Sequence, residues 1–127
     1  MAARLLIADD EAAFAGTLAE HLRRCGYDVV VALDANEALE RVKAQPPDVA
    51  LVDLKLPGLG GEELIRQITG LSPRTRMIVV TAYHDEELQQ RCLGQPGVVA
   101  YLYKPIRSLV ELERQIQAVL DQKSDKK

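Results

Sequence analysis

Short apolar runs alternate with longer stretches in which apolar residues recur at helical spacing, and the alternation repeats five times along the chain. The runs are Leu5-Leu6-Ile7-Ala8, Asp28 to Ala32, Val49-Ala50-Leu51-Val52, Met77-Ile78-Val79-Val80 and Val98-Val99-Ala100-Tyr101-Leu102-Tyr103. Runs this short and this continuous fit strands of a parallel sheet covered by helices on both faces. The spacing between them predicts a first helix from near Glu11, with Phe14, Leu18, Leu22 and Cys25 on one face and Gly26 as its stop. A second helix opens on Asp34 with Glu37 three residues later, a capping-box-like start. It buries Ala38, Leu39 and Val42 and breaks at Gln45-Pro46-Pro47. A third presents Leu64, Ile65 and Ile68 and ends at Ser72-Pro73. The fourth, near Asp85 to Leu93, is marked on its buried side by Leu88 and Cys92 alone and ends at Gly94-Gln95-Pro96-Gly97. The fifth starts at Ser108, with Glu111 three residues on, and buries Leu109, Leu112, Ile116, Val119 and Leu120. Strands alternating with helices in this way define an α/β domain.

A length of 127 residues suits one such domain, over 1–121, followed by a polar tail at 122–127 that is expected to fray. A composition of 47% hydrophobic and 28% charged residues excludes wholesale disorder. The net charge is −3 and the 16 Lys and Arg are scattered, which argues against nucleic acid as a direct partner. Cys25 and Cys92 have no CxxC or metal spacing and read as reduced, semi-buried thiols. No apolar stretch approaches the roughly 20 residues of a membrane span. Met1-Ala2-Ala3-Arg4 leads straight into a strand, without a signal-peptide pattern. The expected location is the cytoplasm.

In open parallel sheets, ligands gather beyond the carboxyl ends of the strands. Asp9 and Asp10 end the first run, and Asp53 ends the third, before the loop Leu54-Lys55-Leu56-Pro57-Gly58. Thr81 ends the fourth and Lys104, followed by Pro105, ends the fifth. Three carboxylates on one edge repel unless a cation joins them. Mg²⁺ suits the position, since it takes oxygen ligands and commonly binds one or two carboxylates plus a phosphate oxygen, with Mn²⁺ as an alternative ion. Lys104 offers a mobile positive charge and Thr81 a hydroxyl donor. Together they describe Asp53 as a nucleophile that accepts a phosphoryl group.

Taken in order, Asp9-Asp10, Asp53 with Leu56-Pro57-Gly58, Thr81-Ala82, Tyr101 and Lys104-Pro105 make the chain, from about Arg4 to Leu120, resemble the response-regulator receiver domains of two-component signalling. The resemblance implies a flavodoxin-like, doubly wound sheet of five parallel strands in the order 2-1-3-4-5, flanked by five helices. It implies that the backbone carbonyl of Lys55 joins Asp10 and Asp53 around the metal, with Asp9 beside them, and that the Lys104–Pro105 peptide is cis. It also implies that Tyr101 turns inward as Thr81 is drawn to the phosphoryl group, shifting the face made by the fourth helix, fifth strand and fifth helix. Lys55 and Tyr83 then flank the acceptor where phosphoryl lifetime is tuned. The implied donor is a phosphohistidine on a histidine kinase or histidine phosphotransfer protein. The implied recipient of the signal is a downstream effector protein or an attached output domain, as in a longer transcription activator. Such a chain is a switch that assists its own phosphorylation and dephosphorylation and is not otherwise an enzyme; it is a monomer or a phosphorylation-dependent dimer.

Duller readings stand beside these. Asp10 could cap the following helix, Thr81 could be a β-branched strand residue, and Tyr101 could be core filler. His21, on the polar side of the first helix, and His84, after Thr81, read as solvated surface histidines. Gly58, Gly60 and Gly61 match no phosphate-loop pattern and read as loop flexibility. A flavodoxin-like ligand-binding module needs a Ser/Thr/Gly-rich first loop, where this chain has Asp9-Asp10-Glu11. A small phosphatase of the haloacid-dehalogenase type needs a D-x-D pair around Asp53, which is absent. Gly94-Gln95-Pro96-Gly97 stands where a shorter Ala-Gly connection is expected, which leaves the register and mobility of the fourth helix open.

Overall fold

A computed structural model describes residues 2–125. Strands β1 (Arg4–Ala8), β2 (Asp28–Ala32), β3 (Val49–Val52), β4 (Arg76–Thr81) and β5 (Val98–Tyr103) alternate with helices α1 (Ala12–Arg24), α2 (Ala35–Ala44), α3 (Gly61–Leu71), α4 (Glu86–Leu93) and α5 (Leu109–Asp125). All strands pair in parallel, in the order β2-β1-β3-β4-β5 that the family resemblance implies. The end of α5 differs from expectation. The helix continues to Asp125, into the segment read as a frayed tail, while Lys126 and Lys127 lie outside the described residues.

The strand period of two sorts alternate residues to opposite faces of the sheet. Leu6, Ala8, Ala50, Val52, Met77 and Val79 face one layer, closed by Ala35, Ala38 and Val42 of α2, Leu64, Ile65 and Ile68 of α3, and Cys92 of α4. Leu5, Ile7, Val49, Leu51, Ile78 and Val80 face the other, closed by Ala15, Leu18, Ala19 and Leu22 of α1 and by Leu112 and Ile116 of α5. Central strands covered on both sides must be apolar throughout, which explains the unbroken runs. The stripe on α1 is rotated from the expected one. Small Ala15 and Ala19 let the helix lie close to the sheet, Phe14 is half-buried, and Cys25 falls beyond the last turn as an exposed cap residue. Neither thiol is therefore semi-buried: Cys25 is exposed and Cys92 is fully enclosed, and both are free.

At the start of α2, Asp34 Oδ1 accepts the Glu37 N–H at 2.8 Å, and Glu37 Oε1 accepts the N–H of Leu33 at 2.9 Å. The reciprocal bond thus lands one residue before the cap. Asp34→Ala should cost about 1 kcal/mol in urea unfolding, the usual value of a lost cap; an unchanged midpoint would show that Glu37 alone suffices.

Two of the three glycines after Asp53, Gly58 and Gly61, serve packing rather than loop flexibility, whereas a Cβ on Gly60 would meet nothing within 4 Å. Gly58 has φ +112°, and a Cβ there would lie 3.2 Å from Ala35 Cβ, where Ala35 N–H donates to the Pro57 carbonyl at 2.8 Å. A Cβ on Gly61 would lie 2.8 Å from Leu54 Cα. The segment between Asp53 and α3 is therefore pinned at two points.

The β4–β5 register shifts between Met77, which pairs with Val98, and Ile78, which pairs with Ala100. Val99 is the extra residue of this bulge and is exposed. Asp85 caps α4 by accepting the Leu88 N–H at 3.1 Å, and Arg91 pairs with Glu62 of α3 at 3.1 Å. Cys92 is the only fully buried residue of α4, so little hydrophobic burial holds this helix in place.

Candidate functional site

The sheet ladder runs one step past the strands. Asp9 N–H donates to the Ala32 carbonyl at 3.0 Å, Asp53 N–H to Ala8 at 2.9 Å, and Lys104 N–H to Thr81 at 2.8 Å. Because β3 lies between β1 and β4, Asp53 has the acidic pair on one side and Thr81 on the other. Lys104 arrives from beyond Thr81, at the end of β5.

Asp9, Asp10 and Asp53 each bring a carboxylate oxygen within 4.8 Å of the others. Asp9 and Asp53 are buried, at 3% and 7% exposure, whereas Asp10 is exposed. Lys104 Nζ lies 2.8 Å from Asp9 Oδ2, 3.1 Å from Asp53 Oδ2 and 2.6 Å from Glu11 Oε1, with the Phe14 ring centre at 4.9 Å. The second oxygens are also placed: Asp9 Oδ1 accepts the Glu11 N–H at 2.9 Å and Asp53 Oδ1 the Lys55 N–H at 3.0 Å. The capping alternative for Asp10 is not realised. Glu11 is the cap residue of α1 and makes no side-chain capping bond.

Burial pushes the Asp9 carboxyl above its ordinary value, against the pull of Lys104 and of the Glu11 N–H. For Lys104, burial disfavours the ammonium, but hydrogen bonds to Asp9, Glu11 and Asp53 outweigh it and raise the group well above its ordinary range. Three carboxylates around one ammonium, with Asp10 beside two of them, leave a surplus of negative charge on hard oxygen donors. Such a set fits a divalent cation.

Thr81 is fully buried, and its Oγ accepts the Tyr83 N–H at 3.0 Å, so the hydroxyl proton remains available to a ligand. Tyr101 is buried, its hydroxyl has no hydrogen-bond partner among the described residues, and burial pushes it up to about 12. Lys55 Nζ sits 4.5 Å over the centre of the Tyr83 ring. The Lys104–Pro105 peptide is cis.

Sequence reasoning missed Glu11 and Phe14 as partners of Lys104; the signal for Glu11 was a third acid directly after the acidic pair. His84 is at the surface as expected but stacked on Tyr103, with ring centres 4.0 Å apart, and His21 is less exposed than expected, half-buried with Nε2 3.8 Å from Cys25 Sγ. A larger hollow lined by Tyr27, Asp48, Glu113 and Asp121 lies at the amino ends of the strands, away from this chemistry.

An acidic pocket at the carboxyl edge of a 2-1-3-4-5 parallel sheet, with lysine and threonine opposite, defines a phosphorylation-signalling domain rather than an ordinary ligand-binding one. The chain belongs to the response regulator receiver domain family, whose model matches residues 5–117. It is 32% identical over 117 residues to the alkaline phosphatase synthesis transcriptional regulatory protein PhoP of Bacillus subtilis, which covers 92% of this chain and 48% of PhoP. The chain spans about half the length, or less, of the curated relatives it matches. Among solved structures it resembles a CheY-like response regulator receiver domain protein from Methanospirillum hungatei, with TM-score 0.94 and 31% identity over the whole of both chains. It also resembles a response regulator protein from Burkholderia pseudomallei carrying a phosphorylated aspartic acid, a calcium ion and citrate, with TM-score 0.79 and 31% identity over 94% of this chain and 74% of that one. Among the described residues, no helix is long and apolar enough to cross a membrane.

Proposed function

We propose that the chain is a switch in which Asp53 takes a phosphoryl group from a phosphohistidine on a sensor histidine kinase or histidine phosphotransfer protein. The observation that carries this reading is Lys104 held against both Asp53 and Asp9 at the tip of the central strand, with Thr81 on the next. A carboxylate oxygen of Asp53 attacks phosphorus, the P–N bond to the donor imidazole breaks, and the donor ring takes up a proton. Lys104 moves its charge onto the phosphoryl oxygens, and Thr81 donates its hydroxyl proton to one of them. Mg²⁺ or Mn²⁺ held by Asp9, Asp10 and Asp53, with the Lys55 carbonyl beside them, would supply the remaining charge neutralisation. The phosphorylated aspartate and calcium ion of the Burkholderia protein support this assignment by likeness.

Phosphorylation adds about −1.5 to −2 charge at neutral pH. The weakly anchored α4, with β5 and α5, forms the face that responds, and Tyr101, buried without a hydroxyl partner, couples it to Thr81. The signal passes to a downstream protein or an attached output domain in the cytoplasm, with the chain a monomer or a phosphorylation-dependent dimer. Incubation with Mg²⁺ and acetyl phosphate should add the mass of one phosphoryl group per chain, and chelation of the metal should prevent it. A chain that gains no mass under these conditions is not a phosphoacceptor.

Lys55 and Tyr83 close the mouth of the site with a cation–π contact. An exposed contact of this type shifts a lid equilibrium by about twofold to fivefold. Tyr83→Ala should shorten the half-life of the acyl phosphate by that factor, followed by loss of the added mass after removal of acetyl phosphate. An equal or longer half-life would mean that the pair does not shield the site from water.

A further inference from the structure

Tyr103 directly precedes Lys104 and pairs in register with Thr81; half-buried, it packs against the edge of the core on the α4 side and makes no contact with the acceptor among the described residues. Its ring carries the exposed His84 in a near-parallel stack, with centres 4.0 Å apart and planes 12° apart. Its hydroxyl donates to Gln89 Oε1 of α4, and its ring meets that of Tyr101 edge-on at 5.4 Å. One side chain thus grips the loop between β4 and α4, the helix that follows, and the neighbouring tyrosine. The loop's other contacts are the Lys55 ammonium over the Tyr83 ring and the Tyr83 N–H on Thr81 Oγ, neither of which reaches His84. Ala82, Tyr83 and His84 are exposed, Asp85 is engaged as the cap of α4, and α4 buries only Cys92 fully.

We propose that Tyr103 is a positioning residue whose stack with His84 latches the loop after Thr81, so that closure of the stack and occupancy of Asp53 compete. The inference rests on the reading that Asp53 takes a phosphoryl group. Thr81 Oγ holds the N–H of Tyr83, and only two residues separate Thr81 from His84. Movement of the Thr81 side chain toward a group on Asp53 pulls on Tyr83 and carries His84 off the Tyr103 ring, while Tyr103 stays fixed in the sheet. The stack is therefore a two-state element whose contact favours the unoccupied site.

The chain has two histidines, so the imidazole region of a proton NMR spectrum is simple. With Mg²⁺ alone, ring current from Tyr103 should shift the His84 carbon-bound protons upfield, in the wild type and in Tyr103→Phe but not in Tyr103→Leu. Saturation with beryllofluoride should return them to ordinary positions. His84→Ala and Tyr103→Leu should each tighten beryllofluoride binding about threefold to tenfold, the range an aromatic pair supplies. The double variant should tighten it no further, because both changes remove the same contact. A His84 shift that persists at saturation, affinities equal to or weaker than wild type, or additive effects would overturn the latch. The bound fluorine signal separates the two readings: its absence from the wild type would overturn the phosphoacceptor assignment and the latch together, whereas its presence with an unmoved His84 overturns the latch alone.

Discussion

Asp53→Asn is expected to reduce the Mg²⁺-dependent mass gain from acetyl phosphate to background while leaving the fold intact. Three carboxylates share the site, and their placement distinguishes them. Asp10 is exposed, and Asp9 lies on the far side of Asp53 from Thr81, because β1 and β4 flank β3 on opposite sides. Asp53 alone ends the strand that lies between the acidic pair and the strand ending in Thr81, with the Lys104 ammonium at 3.1 Å. An amide in its place keeps the shape and can still accept the Lys55 N–H, but it lacks the negative oxygen that attacks phosphorus. Stability should hold or rise slightly, since the change removes one like charge from a crowded set and leaves Lys104 with Asp9 and Glu11. Undiminished labelling of the variant would move the acceptor role to Asp9 or Asp10, and a collapsed circular dichroism spectrum would show that Asp53 is a structural residue first.

Lys104→Met is expected to produce the largest change in stability, and one that depends on metal. Lys104 is the only cation paired with the buried carboxylates Asp9 and Asp53 among the described residues. Exposed Glu11 can swing into water when its partner is lost, but Asp9 and Asp53 are fixed by their backbone ladders. Leaving a buried charge unpaired costs roughly 3–5 kcal/mol in full enclosure; at this surface-facing site we expect about 2–3 kcal/mol. Mg²⁺ should return most of that loss, because at about one hundred times its dissociation constant a ligand stabilises the state it binds by about 2.7 kcal/mol. The variant should gain more than the wild type, whose lysine already offsets the negative charge. Urea unfolding with Mg²⁺ and with chelator measures both. The same loss in both conditions would falsify the idea that lysine and metal answer one electrostatic demand.

Much of the architecture was legible because it follows from local periodicity. The unbroken runs at Leu5 to Ala8 and Val49 to Val52 admit little but central parallel strands, and the strand-end polar residues stood out by contrast. The helix faces were less legible. Small Ala15 and Ala19 carry little hydrophobic signal, so the stripe on α1 was placed a step too far round and Cys25 was assigned to it. Gly58 and Gly61 read as flexible because sequence spacing does not reveal how close Ala35 and Leu54 approach them. The helix α5 runs past Asp121 for a related reason: polar residues continue a helix readily once its earlier turns are docked.

The same division runs through the site. The order of Asp9, Asp10, Asp53, Thr81 and Lys104 along the chain, each at a strand end, was enough to identify the family and to mark Asp53 as the acceptor candidate. The sharing of Lys104 among three carboxylates, the Lys55–Tyr83 contact and the grip of Tyr103 on His84 join residues that are far apart in the chain or belong to different elements. Sequence by itself determined which groups reach the carboxyl edge of the sheet, because hydrophobic period and turn chemistry act over a few neighbouring residues. Only the tertiary structure decided which of them touch, because those distances depend on strand order, register and the packing of side chains brought together from separate segments.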